Sequence, residues 1–365
     1  MSKAAIAEAL SEARARTLAL VEPLDDEQLN RVYSPILSPL AWDLGHIANF
    51  EELWLVRTIG GREPLHGDLG RFYDAIENPR KIRGELPILR DAELRAYMAD
   101  VRERSLDVLE GVEISAEVED PLLRDGFVYE MLLAHELQHN ETMLQLLQLV
   151  EGYELPPEIE AERSSGSDGE EMVAIEAGEY EIGASNRGFA YDNERPLHTV
   201  ALAAFEVDRT PVTNGAYIAY MKEAGAEPPL YWRREGDGWI DTARGRRDPI
   251  DPTQPVVHVS WEQADGFARW AGKRLPSEFE WEAARPHLNG VGHGWEWTSS
   301  DFLAYPGFAA FPYREYSEPF FGDEYKVLRG SAWATHPRVA RPTFRNWDLP
   351  RRRQIFSGIR CARDA

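Results

Sequence analysis

The sequence predicts a multidomain protein of the α plus (α+β) class, with a four-helix bundle at the amino terminus and a loop-rich α+β domain after it. At 365 residues the chain is longer than one ordinary domain and fits two. Apolar residues recur at helical spacing early in the chain, whereas from Met172 the segments are short, rich in Gly and Pro, and carry clustered tryptophans. The acidic stretch 151–172 contains Pro-Pro and Ser/Gly and has no periodicity, which is typical of a linker. We therefore predict a bundle over 1–155, a linker over 156–172 and a second domain over 173–365.

Four segments with apolar stripes make up the predicted bundle. They cover residues 3–22, 38–57, 91–109 and 127–150. In the second segment, Ser38 is a favourable N-cap and Pro39 occupies the first helical position, where its missing N–H is tolerated. The fourth segment follows the Asp125–Gly126 break.

The second domain is predicted to combine short strands with a few helices. Strands are expected in the runs 172–183 and 198–208, and helices near 213–224 and 261–271. We expect its core to include three of the tryptophans: Trp261, Trp270 and Trp281.

Charge and cysteine content exclude several classes of function. The chain has 63 acidic against 40 basic residues and a formal net charge of −23, so nucleic acid and anionic membranes would repel it. Its single cysteine, Cys361, rules out an internal disulfide and a cysteine-rich metal site. Neither a signal peptide nor a membrane span is recognisable. We expect a soluble cytoplasmic protein of two domains.

The strongest chemical signal lies in the fourth helix, in the run HELQHNETML. His135 and His139 are one helical turn apart, a spacing at which two imidazoles can share a metal ion. Both belong to a single stripe of positions expected to face the bundle core, which comprises Val128, Leu132, His135, His139, Met143 and Leu146. The sequence thus predicts two metal ligands on this helix.

A third ligand is predicted from the second helix, where Trp42, His46, Phe50 and Leu53 form a similar stripe. Facing helices of a bundle commonly hold metals between them. Three neutral imidazoles leave the charge of a dication uncompensated, which favours an anionic co-ligand such as a thiolate. Asp43, one turn before His46, could supply the carboxylate of a two-histidine, one-carboxylate iron centre, but we favour a role in orienting a ligand from outside the metal's own shell.

The run HELQH also matches the HExxH motif of zinc peptidases, in which the glutamate activates water. Against this interpretation, no metzincin continuation follows His139. A third ligand would have to come from the acidic linker, and His46 would have no role. We therefore rank a peptidase below a three-histidine site.

The second domain resembles the formylglycine-generating-enzyme type of sulfatase-modifying domain, a loop-rich variant of the C-type lectin fold. The resemblance is carried by PVVHVSWEQADGFARWAGKRLPSEFEWEAA, GWEWTSSDF, VLRGSAW and FSGIRCARD, in that order. The copper-binding cysteine pair of those enzymes is absent, so their activity is not implied.

The first domain, with LAWDLGHIANFEELWL and HELQHNETML, is similar to DinB-like bundles. Both domains together, with the segment RNWDLPRRRQIFSGIR, resemble the ergothioneine-pathway sulfoxide synthases. In that family three histidines bind non-haem Fe(II), and the motifs place them at His46, His135 and His139. The resemblance implies O₂-dependent C–S bond formation between hercynine and a cysteine-type thiol, with oxidation of sulfur to a sulfoxide. The active site would lie between the two domains.

The resemblance also implies substrate contacts. Gln138 and Asn346 would bind the amino-acid part of hercynine, and Trp347 would offer an aromatic wall to its quaternary ammonium. Arg80 and Arg83, in ENPRKIRGELP, match the arginines that hold the carboxylates of the thiol substrate. Asp348 would receive its ammonium group.

A tyrosine acts as proton donor in this family and steers the reaction away from simple thiol dioxygenation. Its position varies among subgroups, and we favour Tyr305 in SSDFLAYPGF. The other candidates are Tyr73, Tyr313 and Tyr316. Related ovothiol- or selenoneine-type synthases and a zinc-dependent thiol transferase remain alternatives, and the thiol donor could be γ-glutamylcysteine or cysteine.

Overall fold

The structure is a computed structural model that describes residues 2–159 and 171–365. The chain divides into two compact units, Met1–Ile159 and Glu160–Ala365. Most of the predicted linker lies outside the described residues. At its two edges the structure shows a 3₁₀ turn over Pro157–Ile159 and the start of a strand at Met172. Among the described helices, none combines the length and apolar character that crossing a membrane requires.

The first unit is helical, as the sequence predicts. Its α-helices are α1 (Lys3–Val21), α2 (Asp26–Asn30), α3 (Leu40–Glu51), α4 (Asp91–Gly111) and α5 (Phe127–Leu147). Helix α1 packs on α4 and α5, and α3 packs on the same two helices, which gives the four-helix bundle. Helix α5 starts where predicted, because Asp125 and Gly126 both adopt left-handed backbone conformations (φ 54° and 80°) that end the preceding turn.

Two details of the second predicted helix are wrong. Helix α3 begins at Leu40 with Pro39 at the N-cap, and the Ser38 hydroxyl instead accepts a hydrogen bond from Arg83 Nη1 (2.8 Å). A buried guanidinium therefore takes the group that we expected to cap the helix. Leu53 is 38% exposed and does not extend the inward stripe. A π-helix over Glu52–Ile59 continues α3, and its wider turn rotates the residues after Glu51 out of register.

The second unit is α+β. Its helices are α6 (Asn214–Ala224), α7 (Trp261–Trp270) and α8 (Glu278–Ala284). Capping boxes start two of them: Ser260 with Gln263 for α7, and Ser277 with Glu280 for α8.

The described strands are short and form four small sheets. They are β1 (Met172–Ile175), β2 (Gly178–Ile182), β3 (His198–Leu202), β4 (Phe205–Asp208), β5 (Trp232–Glu235), β6 (Gly238–Asp241), β7 (Asp248–Pro249), β8 (Trp295–Phe302), β9 (Gly322–Arg329), β10 (Asn346–Asp348), β11 (Ser357–Gly358) and β12 (Ala362–Asp364). The sheet orders are β1-β4-β12, β10-β9-β8-β11, β2-β3 and β5-β6-β7. All pairings are antiparallel except β8 with β11.

Helix α8 packs over the first sheet to form a core. That core consists of Ile175, Phe205, Val207, Trp281, Ala284, Leu288 and Ala362. Trp281 is fully buried as expected, but Trp270 is 38% exposed at the last residue of α7, so its assignment to the core is wrong. The predicted fold class of both units is confirmed.

Candidate metal centre

Two helices of the bundle bring three imidazoles together. Helix α3 supplies His46, and α5 supplies His135 and His139 one turn apart. One nitrogen from each ring lies within 4.8 Å of the other two, and within the described ranges this is the one group of three His, Cys, Asp or Glu side chains that could hold a metal ion. The Nε2 atoms of His46 and His135 are 3.1 Å apart. Two ligands bound at right angles about 2.1 Å from one metal would be about 3.0 Å apart.

Neighbouring groups orient the His46 and His135 rings. His46 Nδ1 lies 2.7 Å from the carbonyl oxygen of Tyr73, which acts as acceptor, so Nε2 carries the lone pair. The Trp42 ring stacks on His46 (centroids 4.7 Å apart), and Phe50 stacks on His135 at 3.8 Å. The aromatic side chains of α3 therefore hold both rings in place.

Burial keeps these two imidazoles neutral. It is the main reason that the pKa values of His46 and His135 fall well below the ordinary value, and the nearby His139 lowers both further. A neutral imidazole is the form that binds a metal.

His139 faces a buried carboxylate. Its Nδ1 is 3.3 Å from Asp43 Oδ1, yet neither atom makes a hydrogen bond. Orphaned buried polar atoms are rare in proteins. An Nδ1–H turned towards Asp43 would satisfy both atoms and leave Nε2 for a metal, as in the carboxylate–histidine–metal arrangement. The three residues therefore fit a divalent transition metal, and the all-nitrogen donor set suits iron or zinc.

Arg80 and Arg83, the predicted carboxylate ligands, lie on the 3₁₀ turn Arg80–Glu85 in the same unit. Arg80 is half-buried and reaches the Ile36 carbonyl oxygen at 3.4 Å. Arg83 is buried, and its guanidinium covers the Trp42 ring at 3.6 Å. Burial lowers its pKa to about 10.

The Arg83 guanidinium already makes three hydrogen bonds, to the Asn78 and Ala75 carbonyl oxygens and the Ser38 hydroxyl. Since a guanidinium has five N–H groups, two remain for a ligand. Arg83 lies close to the histidine cluster, because Arg83 and His46 both contact the Trp42 ring.

The residues assigned to hercynine belong to both units. Gln138 is half-buried on α5 next to His139. Asn346, Trp347 and Asp348 form β10 of the second unit. Trp347 stacks on Phe302 at 4.2 Å, and Asp348 lies 3.5 Å from Arg352. Gln138 belongs to the first unit and the other three residues to the second, and their roles stay predictions.

Tyr305 lies in the interior of the second unit. Its side chain is buried, and its hydroxyl donates to Glu278 Oε2 at 3.2 Å. The Arg345 guanidinium lies over its ring at 4.1 Å. Burial, followed by the charge of Glu278, raises the pKa of Tyr305. These contacts give no support to the proton-donor role, which stays a prediction.

Glu136, the glutamate of the HExxH match, does not serve the histidines. Its carboxylate is buried and accepts from Arg14 Nε (2.8 Å) and from the Thr17 hydroxyl (2.7 Å). A zinc peptidase needs this glutamate beside the metal-bound water. Because the Glu136 carboxylate is bonded to two side chains of α1, the peptidase interpretation has no residue to act as its general base.

Sequence reasoning missed a group of buried charged residues in the interior of the bundle. Arg14, Glu51, Arg102 and Glu136 form a buried cluster, which we call the ion cluster. The signal was present in α1, where Arg14 shares a helical stripe with the apolar positions Leu10 and Val21.

Two family models match the chain. The DinB superfamily model covers residues 9–143, and the sulfatase-modifying factor enzyme 1-like domain covers residues 157–288 and 287–365. These matches agree with the helical and the α+β units.

Relatives match over the full length of the chain. A hercynine oxygenase from Mycolicibacterium smegmatis is 36% identical, with 100% of both chains covered. Hercynine oxygenases from Mycobacterium tuberculosis and Mycolicibacterium thermoresistibile are each 37% identical, covering 97% and 99% of this chain and 97% and 95% of their own. These relatives match along the whole sequence, and the two family models match its two units, so the chain belongs to the hercynine oxygenase family.

Proposed function

We propose that this protein is an iron-dependent sulfoxide synthase that joins hercynine to a cysteine-type thiol. A C–H bond of the imidazole and the S–H bond of the thiol are replaced by a C–S bond, and sulfur becomes a sulfoxide. One oxygen atom of O₂ stays on sulfur, and the other leaves as water with the two hydrogens. The balance needs no external reductant.

The convergence of His46, His135 and His139 carries this proposal, because three imidazoles that meet in a bundle core suit a divalent metal. We propose Fe(II) as the metal, which when bound supplies the O₂ chemistry that side chains lack. His46 and His135 contribute neutral donors. The Tyr73 carbonyl oxygen fixes the tautomer of His46, and the Asp43 carboxylate is close enough to His139 Nδ1 to fix the tautomer of that ring.

The remaining assignments concern substrate binding. Gln138 and Asn346 would hold the amino-acid part of hercynine, and Trp347 would face its quaternary ammonium. Arg80 and Arg83 would bind carboxylates of the thiol substrate, and Asp348 its ammonium. The positive charge of Arg83 and its nearness to the histidine cluster support its part in this proposal.

Anaerobic reconstitution with Fe(II), followed by O₂-uptake assays, tests the function. Hercynine is offered together with γ-glutamylcysteine or with cysteine, each substrate is also offered alone, and the products are identified by mass. We expect uptake that requires both substrates and yields a sulfoxide. Full-rate uptake with thiol alone, giving only a sulfinic acid, would contradict the proposal.

Two controls complete the experiment. His287→Ala removes an exposed histidine outside the cluster and should leave uptake unchanged. Zinc-loaded protein tests the alternative function of a thiol transferase. Thiol transfer by the zinc form without O₂ uptake would favour that function.

A further inference from the structure

The ion cluster joins all four long helices of the bundle. Arg14 of α1 donates to Glu51 of α3 (2.9 Å), to Glu136 of α5 (2.8 Å) and to the Met98 carbonyl oxygen of α4 (3.2 Å). Arg102 of α4 donates to Glu51 at 2.7 and 3.0 Å, to Glu136 at 3.4 Å, and to the Leu10 carbonyl oxygen of α1. Each guanidinium therefore contacts the three other helices.

The two positive and two negative side chains of the ion cluster lie together in the interior of the bundle. Arg14, Glu51 and Glu136 are buried, and the Arg102 side chain is 11% exposed. Burial alone would lower the pKa of Arg14 and raise that of Glu51, but the opposite charges reverse both shifts. These shifts favour the ionised forms of Arg14 and Glu51.

The two carboxylates come from the helices that carry the histidines. Glu51 follows His46 by five positions on α3, and Glu136 directly follows His135 on α5. At 3.6 residues per turn, these steps correspond to rotations of about 140° and 100° around the helix axes. Each helix thus presents an imidazole on one side and a carboxylate on another.

We propose that Arg14 and Arg102 are positioning residues that preassemble the metal centre. By binding Glu51 and Glu136 together, they fix the rotation and spacing of α3 against α5, and thereby the distance between the His46 and His135 nitrogens. The inference rests on the proposed metal-binding function. It gives the glutamate of the HELQH run a geometric role in place of water activation.

The planar fork of arginine is essential to this role. Lysine keeps the charge, but its three N–H donors rotate on one nitrogen, so it fixes the arrangement of two carboxylates less firmly than the planar guanidinium does. Arg14→Lys and Arg102→Lys therefore separate geometry from charge. Arg104→Lys is the matched control, because Arg104 is on the same helix as Arg102 but donates to the Glu63 carbonyl oxygen at the surface, away from the ion cluster.

Three measurements test the proposal: the Kd for Co(II) by chelator competition, the ligand-field spectrum of bound Co(II), and denaturant unfolding of metal-free protein. We expect about tenfold weaker binding and an altered spectrum for both cluster variants, at the low end of the 10- to 100-fold losses seen when a ligand's supporting partners are removed. Arg104→Lys should match the parent protein. A folded variant with unchanged Kd and spectrum would overturn the proposal, even if it unfolds at lower denaturant.

If the lysine variants do not fold, the positioning role can still be tested. The charge-neutral double variant Arg102→Met with Glu51→Met then replaces the lysine variant, with the same expected and contradictory results. His135→Ala distinguishes the two proposals. If it binds Co(II) like the parent, the proposed function fails. If it loses binding while the cluster variants do not, only the positioning role fails.

Discussion

Both units bury polar side chains, but they satisfy them in different ways. In the second unit, Arg360 is fully buried and makes two 2.7 Å hydrogen bonds to Glu296, which also accepts from the Trp281 indole. In the first unit, His139 Nδ1 and Asp43 Oδ1 are buried 3.3 Å apart without a hydrogen bond, and the His46 and His135 Nε2 atoms face each other at 3.1 Å.

This difference separates structural polar groups from a site. A buried cluster whose charges and hydrogen bonds are complete within the protein has no capacity left for a ligand. A cluster of neutral acceptors aimed at one point is complete only when something electrophilic binds there. The histidine cluster is of the second kind, and the Arg360–Glu296 pair is of the first.

Removing a histidine should produce the largest effect. In His135→Ala we expect O₂ uptake to fall to background and metal affinity to fall by more than the roughly 100-fold upper range for supporting partners. The buried alanine should leave the protein folded, as circular dichroism would show. Retention of one tightly bound iron by this variant would break the distinction between the two clusters.

Breaking the Arg360–Glu296 pair should affect stability alone. Glu296→Ala leaves a buried guanidinium without its partner, which costs about 3–5 kcal/mol. We expect that loss in the unfolding transition of the second unit, measured with denaturant, and an unchanged metal Kd in the folded protein. A metal Kd that shifts with this variant would show that the two clusters are not independent.

Replacing the carboxylate beside His139 should have a smaller effect on the metal. Asp43→Asn keeps the size of the side chain but removes the negative charge, so we expect about tenfold weaker Fe(II) binding, measured anaerobically by competition. Asp107→Asn, at an exposed position on α4, serves as control. If both variants bind Fe(II) with equal affinity, Asp43 does not support the metal site.

The smallest effect is expected at Tyr305. The sequence-based assignment predicts that Tyr305→Phe shifts the product towards sulfinic acid. The hydrogen bond to Glu278 instead predicts an unchanged product and a loss of about 1 kcal/mol of stability. Burial of the hydroxyl favours the second result, and product analysis by mass decides between them.

The bundle and the three histidines could be predicted because periodicity reports directly on which side of a helix is buried. His135 and His139 occupy one stripe, and the structure brings them to His46. Leu53 shows the limit of the method, because the π-helix after Glu51 breaks the period that the prediction assumes.

Contacts between distant segments could not be predicted. The Ser38 hydroxyl is used by Arg83, 45 residues further along the chain, and Glu136 is used by Arg14 at a separation of 122 residues. Local rules predicted a helix cap at Ser38 and a motif glutamate at Glu136, but partners from distant segments bind both groups. In the second unit, loops between short strands carry little periodic signal, so strands β8 to β12 were not located from sequence.

Anomalous diffraction at the iron edge, from crystals reconstituted anaerobically with Fe(II), tests the central claim most directly. We predict a single peak per chain, bonded to one nitrogen each of His46, His135 and His139, at about 2.1 Å. A peak bound elsewhere, or one that leaves any of these three imidazoles uncoordinated, would contradict it.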